Sequence, residues 1–253
     1  MKTLIIFDLD GTLAKSKSTI DKEMADLLKN LLDVTQVAII SGGDWPQFQK
    51  QALKHLPKKA LLNKLSILPT SGTKFYQYKK DWEKLYAENF TDEETKKILD
   101  SLQSAIEEAN LDIKKTWGDQ IEDRGSQITF SALGQEAPLD KKKGWDDDFS
   151  KRKKIVWPLQ KSLKGFSVGM GGTTSIDITK PGIDKAYGIN KLKEILGIDI
   201  PEMLFIGDAL SEGGNDHPVK KTGVDCIQVK GPEETKIIIE TIIKCSTDTK
   251  KKI

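Results

Sequence analysis

Two aspartates stand two residues apart at the end of an apolar run, in Asp8-Leu9-Asp10-Gly11-Thr12. Carboxylates so spaced suit phosphoryl chemistry. One can attack phosphorus, while the other gives a proton to the leaving oxygen and later takes one from water. In extended chain they share a face, and a turn at Gly11 lets them reach one phosphorus from different sides. Two such anions destabilise one another unless a cation lies between them. A hard divalent ion with oxygen ligands, Mg²⁺, fits.

Three further pieces carry compatible chemistry. The Ser41 hydroxyl and the amides of Gly42 and Gly43 can donate hydrogen bonds to phosphoryl oxygens. Lys185, in Lys180-Pro181-Gly182-Ile183-Asp184-Lys185, supplies an ammonium that would offset the aspartate charge. Gly207-Asp208 and Gly213-Gly214-Asn215-Asp216 follow a later apolar run. Asp208 is a natural metal ligand, and Asp216 can bind the ion directly or through water. A helix N-terminus near Asn215 favours anions. Taken singly, these are a turn, a loop, a surface lysine and a helix cap. Their occurrence in order, each at a strand end or domain return, makes them informative as a set.

The elements that must position them follow from periodicity. Residues 3–7 and 37–40 read as buried parallel strands, with a helix over 21–32 between them. Asp44 is the expected N-cap of a second helix, with Gln47 as capping-box partner and Pro46 in the first turn. The pattern returns with a helix over 183–196, strands over 203–206 and 226–229, and a helix over 232–243. A polar, lysine-rich tail over 246–253 is expected to fray. Strand and helix in alternation predict a doubly wound, Rossmann-like parallel sheet that binds ligands at the carboxyl ends of its strands. The middle differs: a helix over 91–110 with Thr91 and Glu94 as capping box, a helix between 146 and 163 that Pro158 shortens or kinks, and strands over 127–132, 166–170 and 174–179. The fold expected is α/β: a core of residues 1–82 and 181–253 with an α+β cap over 83–180.

Composition narrows the partners. The 253 residues are 37% apolar and 31% charged, with 40 basic against 38 acidic side chains. A net charge of +2 gives no global field for nucleic acid or an anionic membrane, so neither partner is expected. No run approaches the ~20 apolar residues of a membrane helix. The two cysteines, Cys226 and Cys245, are expected to be free thiols in a reducing compartment, by default the cytoplasm. His55 reads as structural or exposed, His217 beside Asp216 is a candidate to line the site, and the five tryptophans show no stacking spacing.

The four pieces together resemble the haloacid dehalogenase superfamily of phosphatases and phosphomutases. Asp8, Asp10 and Thr12 match its first motif, Ser41 its second, Lys185 its third, and Asp208 with Asp216 its fourth. The resemblance implies that Asp8 is the nucleophile, forming an aspartyl-phosphate, and that Asp10 is the general acid/base. It implies Mg²⁺ held by Asp8, the Asp10 carbonyl and Asp208. Gly171-Gly172-Thr173-Thr174-Ser175-Ile176-Asp177, Pro181-Gly182-Ile183-Asp184-Lys185 and Gly213-Gly214-Asn215-Asp216-His217 resemble the eukaryotic-type phosphomannomutase branch. There Ser175 and Asp177 would touch sugar hydroxyls, and alternation along a strand puts both on one face. That branch also implies a homodimer formed through the cap.

The chain departs from the branch where arginines grip the distal phosphate of a sugar bisphosphate. Ser131-Ala132-Leu133-Gly134 stands at the first such place, Lys142 near the second, and Lys17 replaces an early arginine. Lysine binds phosphate as a point charge, without arginine's bidentate fork. The expected activity is therefore Mg²⁺-dependent hydrolysis of a sugar phosphate or similar small phosphorylated metabolite. The alternatives are phosphomannomutase, exchanging mannose 1-phosphate and mannose 6-phosphate, and a non-catalytic phosphometabolite-binding module.

Overall fold

The computed structural model describes residues 2–250, with side chains to Ser246. The chain forms two compact units, residues 1–87 with 184–253, and residues 88–183 between them.

The first unit opens with β1, Leu4–Asp8, buried on both faces. Its alternation sorts side chains to two sides: Leu4 and Ile6 enter one apolar cluster, Ile5 and Phe7 the other. Helix α1, Lys22–Val34, starts at Asp21, whose carboxylate accepts the Met24 N–H. Strand β2, Gln36–Ile40, returns beside β1 in parallel register, with Asp8 opposite Ile40. Helix α2, Trp45–Gln51, follows. Then come β3, Leu65–Leu68, and the strands β4, Lys74–Tyr78, and β5, Trp82–Ala87.

The second unit carries α3, Asp92–Ala109, on the expected Thr91–Glu94 capping box. It continues with β6, Ile121–Asp123, and β7, Gln127–Ser131. Two helices follow, α4, Leu139–Lys142, and α5, Ser150–Ser162. Pro158 lies inside α5 without ending it. Strands β8, Ser167–Gly171, and β9, Ser175–Thr179, complete an antiparallel sheet of order β6-β7-β9-β8. One face of that sheet presents Ile128, Phe130, Ile176 and Ile178 to a core shared with Ile98 and Leu102 of α3 and Ile155 and Leu159 of α5. Alternation leaves Thr129, Ser131, Ser175 and Asp177 on the other face, with Thr129 opposite Asp177 and Ser131 opposite Ser175.

The chain then re-enters the first unit through α6, Lys185–Leu196, capped by the Asp184 carboxylate, and β10, Met203–Gly207. Strand β11, Asp225–Gln228, and helix α7, Pro232–Lys250, end it. The seven strands run β11-β10-β1-β2-β3-β4-β5, parallel from β11 to β3 and antiparallel beyond. Ile189 and Leu192 of α6 pack on one face and Leu28 and Leu31 of α1 on the other, so the sheet is doubly wound.

Three expectations are corrected. The anticipated insert boundary at residue 83 falls inside β5, which pairs with β4 in the core sheet, so the division comes after Ala87. The frayed tail expected from 246 is helical to Lys250, and Ser246 is buried; residues 251–253 of that tail lie outside the described residues. Asp44 does precede α2, yet its carboxylate takes Lys74 Nζ at 2.6 Å and makes no cap bond. Among the described residues, no helix is long and apolar enough to cross a membrane.

Candidate active site

The parallel sheet brings its strand ends to one edge, and those of β1 and β10 deliver charge. Asp8 ends β1, Asp208 follows β10, and Asp216 lies in the loop before a 3₁₀ turn at His217–Thr222. Carboxylate oxygens of Asp8, Asp208 and Asp216 all lie within 4.8 Å of one another. Lys185, the first residue of α6, reaches into this cluster and donates to Asp8 Oδ1 at 2.5 Å and to Asp216 Oδ1. The second oxygen of Asp216 accepts the Ala209 N–H at 3.0 Å. The Thr12 hydroxyl lies 3.5 Å from Asp8 Oδ2 and 3.4 Å from Asp208 Oδ1.

Asp8, Asp216, Thr12 and Lys185 are almost wholly buried, and Asp208 is half-exposed. Burial pushes the Asp8 carboxyl up to about 7; Lys185 pulls it down, while Asp216 and Asp208 push the same way as burial. Burial likewise raises Asp208, with Asp216 adding to it. Burial alone would lower the Lys185 ammonium, but Asp8 and Asp216 beside it hold it above the usual lysine range. One ammonium against three clustered carboxylates leaves a dehydrated site short of positive charge. That is the donor set a hard, oxygen-ligating divalent cation satisfies.

Two glycines make the cluster possible. Gly11 turns the chain at φ +85°, and a Cβ there would overlap the Asp208 carboxylate. A Cβ at Gly207 would overlap the Asp216 carboxylate.

The phosphate-binding candidates are placed less tightly. Ser41 follows β2, is buried, and accepts the Gly43 N–H on Oγ at 3.2 Å. Gly42 is followed by open space, since a Cβ there meets nothing within 4 Å. Asn215 is exposed and His217 half-exposed in the loop around Asp216. The Asp10 side chain does not join the carboxylate cluster. Its oxygens take the Lys17 N–H at 2.5 Å, Gln47 Nε2 at 2.7 Å and Gln51 Nε2 at 3.1 Å. Sequence reasoning missed Gln47 and Gln51 as partners of this residue, having assigned Gln47 to a capping box. Their i, i+4 spacing was the available signal.

In the insertion, Asp177 Oδ1 accepts from Thr129 Oγ1 at 2.7 Å and Gln127 Nε2 at 2.9 Å. Ser175 lies two residues away on the same strand. Arg152 is buried and committed to Asp146 at 2.7 Å and to the carbonyls of Gly171, Gly172 and Ser175. Arg124, at the turn between β6 and β7, holds Glu122 at 2.6 Å.

Residues 24–245 match the sequence profile of the eukaryotic phosphomannomutase family. The chain belongs to that family. A probable phosphomannomutase of Caenorhabditis elegans is 25% identical over 96% of both chains. Solved structures agree on the fold. A C-terminally truncated IMP-nucleotidase of Plasmodium falciparum superposes with a TM-score of 0.71 at 19% identity, covering 96% of this chain and 71% of its own. A haloacid dehalogenase-like hydrolase from Bacteroides thetaiotaomicron gives 0.63 at 19% identity, covering 96% and 100%. As a member of the eukaryotic phosphomannomutase family, the protein is an enzyme of phosphoryl chemistry.

Proposed function

We propose that the chain moves the phosphoryl group of a hexose phosphate through an aspartyl-phosphate at Asp8, interconverting mannose 1-phosphate and mannose 6-phosphate. The observation that carries this reading is Asp8 itself. It is buried at the carboxyl end of a central parallel strand, bonded to Lys185 and clustered with Asp208 and Asp216. Mutase activity is favoured over hydrolysis by a family match that spans both units rather than the core alone.

In this reading an Asp8 oxygen attacks phosphorus, and the ester oxygen leaves with a proton from Asp10. A sugar hydroxyl then returns its proton to Asp10 and attacks the aspartyl-phosphate. Lys185 offsets charge as it builds on the phosphoryl oxygens. The hydroxyls of Thr12 and Ser41, the Gly42 amide and the Asn215 side chain supply donors to those oxygens. Asp8, the Asp10 carbonyl, Asp208 and Asp216 would hold Mg²⁺. Bound there, the ion acts as a Lewis acid toward the phosphoryl group. Ser175 and Asp177, on the polar face of the insertion's sheet, are the proposed partners of sugar hydroxyls, and one Asp177 oxygen already accepts from Thr129 and Gln127.

Hydrolysis is the second reading, and the arginines favour it. The chain has only two, Arg124 and Arg152, and Arg152 is committed inside the insertion. A weaker grip on a bisphosphate leaves more turnovers to water. Incubation with mannose 1-phosphate and a trace of hexose bisphosphate separates the two. Mannose 6-phosphate without free phosphate supports the mutase; inorganic phosphate as main product supports the phosphatase.

A further inference from the structure

Asp10 is read as the acid/base, yet its carboxylate is turned toward α2. Three donors hold it: the Lys17 N–H and Gln51 Nε2 on Oδ1, and Gln47 Nε2 on Oδ2. Gln47 and Gln51 are one helical turn apart, so α2 offers both amides from a single face.

The seat around these amides is built. Gln51 is 2% exposed, and its Nε2 also donates to the Ser18 carbonyl at 2.8 Å. Turning the amide over would set Oε1 against two acceptors at once, so the donor orientation is fixed. In that orientation Oε1 accepts no hydrogen bond among the described residues, an unusual state for a buried amide. Gln47 lies across Gly43, where any Cβ would overlap its amide. The third residue of Ser41-Gly42-Gly43 thus makes room for a side chain that holds Asp10.

We infer that Gln47 and Gln51 are positioning residues for Asp10, setting the carboxyl direction from which the proton is delivered to the ester oxygen and recovered from the next nucleophile. The inference rests on the reading of Asp10 as the acid/base. In the first half-reaction the Asp8–phosphorus bond forms, the phosphorus–ester oxygen bond breaks, and the oxygen takes its proton from Asp10. A sugar alkoxide leaves poorly without that proton, whereas nitrophenolate leaves readily. Misaiming Asp10 must therefore slow sugar phosphates selectively.

The test is rapid-quench formation of the phosphoenzyme in full-length protein with Mg²⁺, using mannose 6-phosphate and 4-nitrophenyl phosphate in parallel. Gln47→Met and Gln51→Met keep side-chain length and remove the donors. Each is expected to slow phosphoenzyme formation from the sugar by roughly 10- to 100-fold, a part of the roughly 10²–10⁴-fold that general acid catalysis contributes, and from the aryl ester by less than about threefold. Asp10→Asn is the reference and should show the same selectivity more strongly. If Asp10→Asn slows both substrates alike, the acid/base reading fails. If Asp10→Asn is selective but the glutamine variants are not, the positioning inference is overturned. Gln51 is buried, so retained reaction with the aryl ester reports its folding; the less buried Gln47 decides the matter should Gln51→Met fail to fold.

Discussion

Lys185 stands between Asp8 and Asp216, donating to both, and none of the three side chains is more than 3% exposed. The ammonium holds two carboxylates that burial would otherwise oppose. Lys185→Met removes it and leaves the carboxylates facing one another. The expected cost is about 3–5 kcal/mol of stability at neutral pH, the range for breaking a buried ion pair. The loss shrinks as pH falls through about 7, because the Asp8 carboxyl, already raised to about 7 by burial and raised further without the ammonium, then takes up a proton. Urea denaturation of both proteins across pH checks this, and a deficit independent of pH would argue against it. Phosphoryl transfer should fall by about 10²–10³, as when one charge-stabilising donor is removed.

Much of this site could be read from residue types alone. Asp8 and Asp208 sit where apolar runs end, and a parallel sheet takes such ends to one edge, while Lys185 comes from the first turn of α6. The Asp10 side chain could not be read. Sequence places it beside Asp8, but its direction depends on Gln47 and Gln51 packing from another element. The core's β4–β5 hairpin was also hidden. It holds polar residues such as Gln77, Glu83 and Lys84, and Trp45 stacks on Tyr76 at 4.0 Å through tertiary contact rather than any local period. The boundary near residue 83 was misplaced for that reason.

The raised carboxyls predict how Mg²⁺ binding depends on pH. Without metal, burial holds Asp8 protonated to about 7 and raises Asp208 as well, so the folded protein keeps protons that the unfolded chain has released. That contribution favours the fold below Asp8's folded pKa and is lost as pH rises through about 7. Mg²⁺ competes with those protons. Its affinity should increase with pH until Asp8 is fully ionised, with protons released on binding. Calorimetry in buffers of different ionisation enthalpy measures this directly; binding without proton release near pH 6 would contradict it.

Gly11→Ala tests the geometry of the carboxylate cluster. The new Cβ collides with Asp208, and φ +85° strains any side chain there. The expected strain is about 1–2 kcal/mol. The more telling result is a Mg²⁺ requirement raised by about 10-fold or more, on the scale of losing good ligand orientation. A variant that loses stability but keeps its Mg²⁺ affinity would show that Gly11 serves only the turn.

Arg152→Met tests whether the insertion depends on its buried pair with Asp146, whose side chains are 1% and 0% exposed. Removing the guanidinium leaves the buried Asp146 charge to the backbone N–H groups of Lys151 and Arg152 and takes a donor from the carbonyls of Gly171, Gly172 and Ser175. A loss of about 3–5 kcal/mol is expected. Hydrogen exchange should locate it in residues 88–183, with β1 and β2 still protected; loosening that begins in the core sheet would refute the assignment.

The most direct measurement is to locate the phosphoryl group on the protein. The enzyme is quenched in acid during turnover of mannose 1-phosphate with Mg²⁺, and the labelled peptide is sequenced by mass spectrometry. The account predicts a hydroxylamine-sensitive acyl phosphate on Asp8, absent from Asp8→Asn. A label on any other residue, or full turnover by Asp8→Asn, would contradict it.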